Sequence, residues 1–546
     1  MAQSIFGLIF FVALLLSGCT SNEIVRTIAL KSKSSECDFK GHAADLSYFT
    51  KKKNKKDIDC TQYSIEDHED YTLGIVEFDD QGWLHNRKQM DLLMDELTRQ
   101  ATGESGKEQN DLSIFVYVHG WKHNADFCDD NLCCFRETLK QMNMLEENYA
   151  KEYHWNRRKV VGIYVGWRGL SLLGPDFIRS LSFYSRKNAA TRVALGSTRE
   201  LLGKIKDFYE RQNADPKPDP NAAATQNAEK KPLTRKDMQQ LPMQTDSDLT
   251  GNNLKRSGTR LLTVGHSFGG LVVYTAVAQT LMESAIEPTD AQSTQYVKPF
   301  GDLVFLVNAA FEATRYEPLH QIAKNRTYAP YQPPVFVSVT SDADTATRVA
   351  FPAGRWANYL SLLGYSDGLD EKEKKVVVDH TLAQQREANV FTIGHAERYR
   401  THTLSYDKDL QRDKLSAPDS TDTDNCSCRY RRGIENFLGK ANIRAERSEW
   451  EKDKVKNLKE GKRVAGWTRQ YAGDGTTLVN NKDVSVPDNP FWVICTDKDF
   501  IPDHNGFYTP LFLNFVRHTF DDSLHLWREV KELAKAKAVD QTPKTK

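Results

Sequence analysis

Neither sign of charge is in excess in this 546-residue chain, where Lys plus Arg and Asp plus Glu number 74 each. A protein that tracks a phosphate backbone needs a basic surplus, so no nucleic-acid partner is expected. An apolar run fit to span a bilayer is missing too, since the N-terminal stretch Ile5 to Leu16 falls short of the ~20 residues a helix requires. Zinc-type cysteine spacing is absent, and Cys426-Ser-Cys428 fits no standard ligand pattern. No metal or organic cofactor is expected, and the partner to look for is a small molecule or another protein.

What the N-terminus does have is an apolar segment ending in Leu16-Ser17-Gly18-Cys19. That ending resembles a bacterial lipoprotein lipobox, although residues Met1 to Phe6 lack the Lys or Arg usual in such leaders. The resemblance implies a signal peptide over 1–18, a diacylglycerol on the Cys19 thiol and a chain anchored to, not spanning, a membrane of the bacterial cell envelope. Thr20 follows, not Asp, which directs the expectation to the outer membrane. In an oxidising envelope the remaining cysteines form disulfides. Cys128 with Cys133 or Cys134, and Cys426 with a distant partner, are the expected pairs.

Residues 19–66 are polar and Lys-rich, as in a tether. Beyond them, Tyr71 to Phe78 has strand composition, and a helix bearing Leu92, Leu93, Glu96 and Leu97 follows. Short β-branched and aromatic runs then recur at Ser113–Val118, Val160–Val165, Arg260–Val264, Leu303–Val307, Val335–Val339 and, far downstream, Phe491–Cys495. Runs without polar alternation belong to strands buried on both faces, and their alternation with helices predicts a mostly parallel sheet between helical layers. The expected core is thus 67–345 plus 490–546, with a low-complexity loop over 215–258. About 150 residues separate Val339 from Phe491, too many for a connection, so 346–489 is expected to be an inserted lid or cap. Trp356 to Leu363 within it is either plain core or the lining of an acyl tunnel. The spacing of Leu524, Trp527, Val530 and Leu533 predicts a closing helix over Ser523–Ala538.

Gly265-His266-Ser267-Phe268-Gly269-Gly270 lies between an apolar strand and an apolar helix. This is the setting of a nucleophile elbow, in which small residues flank a Ser because the turn is too tight for side chains on both sides. Ser267 is the candidate nucleophile, and the Phe268 amide at the helix start is one candidate oxyanion donor. His119-Gly120-Trp121 at an earlier strand end offers the Trp121 amide as the second. The acid should follow the strand ending at Val339, where Thr340-Ser341-Asp342-Ala343-Asp344 holds two candidates. The base should follow the last strand, where His504 stands in Asp503-His504-Asn505-Gly506. His380, His395 and His402 in the insert are read as structural or substrate-lining.

In strand and motif order the chain resembles the α/β-hydrolase superfamily. His119-Gly-Trp-Lys-His-Asn-Ala125, Gly265–Gly270, Asn308-Ala-Ala-Phe-Glu-Ala313, Thr340–Asp344 and His504-Asn-Gly506 resemble an esterase- or lipase-like bacterial and fungal branch, over roughly Tyr71 to Val516. The resemblance implies Asp344, with Asp342 as substitute, as the acid of a Ser267–His504–Asp344 triad that cleaves a small-molecule ester or lipid. An acyltransferase, or an inactive surface binding protein on a hydrolase scaffold, remains as an alternative.

Overall fold

A computed structural model describes residues 20–31, 37, 59–68, 70–103, 106, 109–171, 182–214, 258–286, 297–328, 332–355, 382–407, 428, 430, 434, 465–471 and 475–523. Its centre is a run of parallel strands: β3 (Tyr71–Phe78), β4 (Leu112–Val118), β5 (Lys159–Trp167), β6 (Arg260–His266), β7 (Leu303–Val307), β8 (Phe336–Ser341) and β12 (Phe491–Thr496). With β1 (Ile28–Lys31), β2 (Tyr63–Asp67), β9 (His402–Tyr406), β10 (Thr468–Gln470) and β11 (Thr476–Asn480) they form one twelve-stranded sheet in the order β1-β2-β3-β5-β4-β6-β7-β8-β12-β9-β11-β10. Nearly every residue of the central strands is buried, as their unbroken apolar composition requires of strands covered on both faces.

One face is covered by α1 (Arg87–Thr102), α3 (Phe183–Leu195), α4 (Ser197–Asn213), α5 (Phe268–Ile286), α6 (Glu317–Lys324) and α7 (Leu382–Val390). The other carries α2 (Asp130–Tyr153) and α8 (510–523). Asn86 and Asp129 cap α1 and α2 by accepting from the amides of Lys88 and Asn131, which satisfies donors the first turn leaves open. The sheet order doubles back between β4 and β6, where chain connections leave in opposite directions. Such a switch point opens a crevice at the carboxyl ends of the strands.

The described N-terminal residues depart from a tether. β1 pairs with β2, which runs antiparallel to β3, so both extend the sheet. Arg26, wholly buried, donates from its amide to Glu77 Oε1 at 2.8 Å and pairs with Glu66 at 3.1 Å. Arg136 on α2 closes on the same Glu66 carboxylate at 2.7 and 2.8 Å. Burial opposes the charge on Glu66, but Arg136, His68 and Arg26 hold its carboxyl well below the ordinary glutamate value. Glu66→Gln, which takes the carboxylate charge from two buried guanidinium groups, is expected to cost about 3 to 5 kcal/mol in a urea titration. Because the folded-state pKa is depressed, that stabilisation is full above the ordinary glutamate value and is lost as pH falls below it. A variant as stable as wild type at neutral pH would contradict this. Thr20 is fastened as well: its amide donates to the Ser171 carbonyl at 3.1 Å, and its carbonyl accepts from Arg168 at 2.7 Å.

Within 346–489 three strands extend the sheet: β9 pairs parallel to β12, and β11 and β10 follow antiparallel. Alternating buried and exposed positions in β9 and β11 suit an edge ribbon packed on one face, while 356–381 and 435–464 of the expected lid lie outside the described residues. Trp356–Leu363, His380, Cys19 and most of Ser523–Ala538 and of 215–258 lie outside the described residues. The cysteine pairing is corrected: Cys134 bridges to Cys428 and Cys37 to Cys60, while Cys133 is a free, buried thiol. Cys128 is disulfide-bonded, but to neither Cys133 nor Cys134. Cys134 is taken up by Cys428, and the neighbouring Cys133 thiol, turned about 100° away on the helix, lies 3.7 Å from the Phe127 carbonyl. Cys426 lies outside the described residues. No helix among the described residues is long and apolar enough to cross a membrane.

Candidate active site

β6 ends at His266 and α5 begins at Phe268, so the chain reverses on Ser267 alone. The turn forces Ser267 to a φ of 56°, a left-handed conformation that non-glycine residues rarely hold. A Cβ at Gly269 would lie 1.9 Å from the Val118 carbonyl oxygen, and one at Gly120 would lie 2.6 Å from the Ser267 Cβ. Glycine at these two positions is what lets the β4 and β6 loops close on each other.

Three side chains from separate strands meet here. His504, in the loop after β12, places Nε2 2.8 Å from Ser267 Oγ and Nδ1 2.8 Å from Asp344 Oδ2. Since a carboxylate only accepts, Nδ1–H donates to Asp344, and Nε2 is left to accept the Ser267 hydroxyl proton. Ser267 and Asp344 are buried, and the His504 side chain keeps 20 % exposure, so the constellation is open to solvent through the imidazole. Burial opposes ionisation of Asp344, yet the His504 imidazole and the Thr347 hydroxyl and amide hold its carboxyl below the ordinary value. Asp342, the alternative acid, is half exposed and faces Arg400 at 3.4 Å.

Several further residues brace this triad. The Asn308 side chain donates to the His504 carbonyl at 3.1 Å and accepts from the Ser341 amide at 3.1 Å. It thereby ties the His504 loop to the end of β8, from a backbone with φ 45°. His266 Nε2 donates to the same His504 carbonyl at 2.8 Å. Burial and the neighbouring His504 push the His266 imidazole well below its ordinary value, so it is a neutral strut. The Thr347 hydroxyl donates to Asp344 Oδ2 and accepts from His395 Nε2 at 3.0 Å. His395 thus lies behind the acid. Burial drives its imidazole down to about 4, so it stays neutral and keeps the Nε2–H donor. His402 belongs to β9 and contacts Asn480 at 3.1 Å and the Trp492 ring.

Motif spacing identified the Asp342/Asp344 alternative and His504, and the structure brings Asp344 to His504. Asn308 stood in a motif already noted, but only the contact with His504 reveals its use. His395 is among the histidines read as structural or substrate-lining, and only its bond to Thr347 reveals that it backs the acid.

Two amides are expected to stabilise an oxyanion: that of Phe268, which begins α5, and that of Trp121, just past the end of β4. Among the described residues neither the Phe268 nor the Trp121 amide donates to a protein acceptor. His119 orients the second. Its Nε2 accepts from the Trp167 amide at 3.0 Å, so Nδ1–H donates to the Gly120 carbonyl at 2.9 Å. In a trans peptide C=O and N–H point opposite ways, and the grip on Gly120 therefore fixes the direction of the Trp121 N–H. Burial pushes the His119 imidazole down to about 4, which keeps this tautomer neutral. Among the described residues no group of three or more His, Cys, Asp or Glu side chains is arranged to hold a metal ion. No family model, curated protein or solved structure matches the chain.

Proposed function

We propose that this protein is a serine hydrolase of the α/β-hydrolase type that cleaves an ester bond through an acyl-enzyme, lipid-anchored at Cys19 in a bacterial envelope. The observation that carries the reading is the continuous chain from Ser267 Oγ through His504 to Asp344, at 2.8 Å on both sides of the imidazole. The chain order Ser, Asp, His and a strand–turn–helix at the nucleophile support it.

Ser267 attacks the carbonyl while His504 Nε2 takes its proton, and Asp344 holds the ring and offsets the imidazolium charge. The Trp121 and Phe268 amides receive the negative charge on the carbonyl oxygen. Removing one such donor typically costs about 3 to 4 kcal/mol of transition-state stabilisation. His504 returns the proton to the leaving alcohol, then activates water to release the acyl group. Short p-nitrophenyl esters test this directly: wild type should turn over and Ser267→Ala should not. Turnover that survives the substitution would refute the reading. An alcohol acceptor that diverts the acyl group from water would instead mark an acyltransferase.

The Thr347 hydroxyl offers a finer check. Thr347→Val removes one hydrogen bond to the Asp344 carboxylate, and kcat should fall about tenfold, the worth of one bond to a charged group. Thr347→Ser should keep most of the rate. Equal losses in the two variants would contradict a role for the hydroxyl.

A further inference from the structure

The residue that follows the candidate lipidation site lies at the same edge of the sheet as the triad. β5 runs parallel to β4 and β6 and ends at Trp167, so the loop 168–171 emerges beside the crevice. Thr20 is bound to that loop at both its amide and its carbonyl. The loop is in turn joined to the segment that carries Trp121. The Gly169 amide donates to His123 O at 2.9 Å, and the Lys122 amide donates to Gly169 O at 3.1 Å. Thr20 is thus held beside the segment 121–123 that carries Trp121.

A second, independent feature marks this edge. β3 also ends here, and the turn after it carries Trp83 with 70 % of its surface exposed. The turn is rigid: the Trp83 amide donates to Asp79 Oδ1 at 2.8 Å, and the Trp83 carbonyl accepts from the Asp79 amide at 2.9 Å. Arg168 joins the turn to the N-terminus, since it donates both to Asp80 and to the Thr20 carbonyl. Leu195, 51 % exposed, sits one residue before Gly196, whose backbone abuts Gly82 in the same turn. Val349, 60 % exposed, lies in the helical turn just after Asp344. Tryptophan with its ring in solvent and its backbone pinned has the chemistry of an interfacial anchor, an apolar body with one N–H for the headgroup layer.

We propose that the carboxyl edge of the sheet, with Trp83 and the Thr20 attachment point, is the face this protein lays on the membrane, so that its crevice opens toward the lipid. The substrate class is then an ester carried by a bilayer amphiphile, reached without first leaving the membrane. The substrate half rests on the Ser267 reading and the anchor half on lipidation of Cys19.

The test uses the full-length lipidated protein in vesicles of phosphatidylethanolamine and phosphatidylglycerol containing doxyl-labelled acyl chains. Tryptophan emission should be quenched more in wild type than in Trp83→Phe. Fatty-acid release from the vesicle lipid should fall several-fold in Trp83→Ala, while turnover of soluble p-nitrophenyl acetate stays unchanged. Equal quenching in wild type and Trp83→Phe, or vesicle hydrolysis indifferent to Trp83, overturns the proposal. Recovery of the protein outside the vesicle fraction overturns it as well. Quenching is read without turnover, so a wild type inert to the soluble ester would remove the Ser267 reading and leave the orientation to be decided by quenching alone.

Discussion

Ser267→Ala is expected to lower kcat on the order of a millionfold, the scale seen when a triad nucleophile is deleted, with KM changed far less. The whole chemical step passes through this one hydroxyl, so no neighbouring group can restore the rate. The same position should show a trade of stability against activity. Its φ of 56° imposes strain on any residue with a Cβ, typically about 1 to 3 kcal/mol. Ser267→Gly removes that strain and should raise the melting temperature while abolishing turnover. A glycine variant less stable than wild type would mean that the hydroxyl contributes more to folding than the turn costs.

Asp344→Asn is the second large effect. The substitution preserves shape, but an amide nitrogen donates where the carboxylate accepted, so it favours the imidazole tautomer that cannot take the serine proton. A loss of about 10⁴-fold in kcat is expected, with little change in KM. Asp342→Asn should lose almost nothing, because its half-exposed carboxylate faces Arg400 and not the imidazole. If Asp342→Asn were the more damaging of the pair, the assignment of the acid would be reversed. Steady-state kinetics on one soluble ester separates the two outcomes.

The central strands are legible in the sequence because burial on both faces leaves a one-dimensional trace, an unbroken apolar run such as Leu303–Val307. The elbow is legible for a related reason, since a tight reversal tolerates only small residues and Gly265, Gly269 and Gly270 crowd one short segment. The edges of the sheet leave no such trace. β2 contains Glu66 and Asp67, which read as loop until Arg26 and Arg136, remote in sequence, supply the charges that make a buried glutamate tenable. β9 and β11 alternate, as one-sided strands do, and alternation says nothing about which layer a strand will join.

Within the site, Ser267, His504 and the Asp342/Asp344 alternative follow from motif and order. Their supports do not. Asn308, His266 and His395 act through contacts 196, 238 and 48 residues apart along the chain, and no local pattern encodes a partner that distant. The Cys134–Cys428 bridge, with a separation of 294, was illegible for the same reason.

The most direct measurement is to treat the purified protein with a fluorophosphonate and locate the adduct by peptide mass spectrometry. One phosphonylated site is expected, on the peptide that contains Ser267, and it should disappear in Ser267→Ala and form far more slowly in His504→Ala. Label on any other residue, or label that persists after Ser267 is replaced, would contradict the proposal that these three side chains form a working nucleophilic centre.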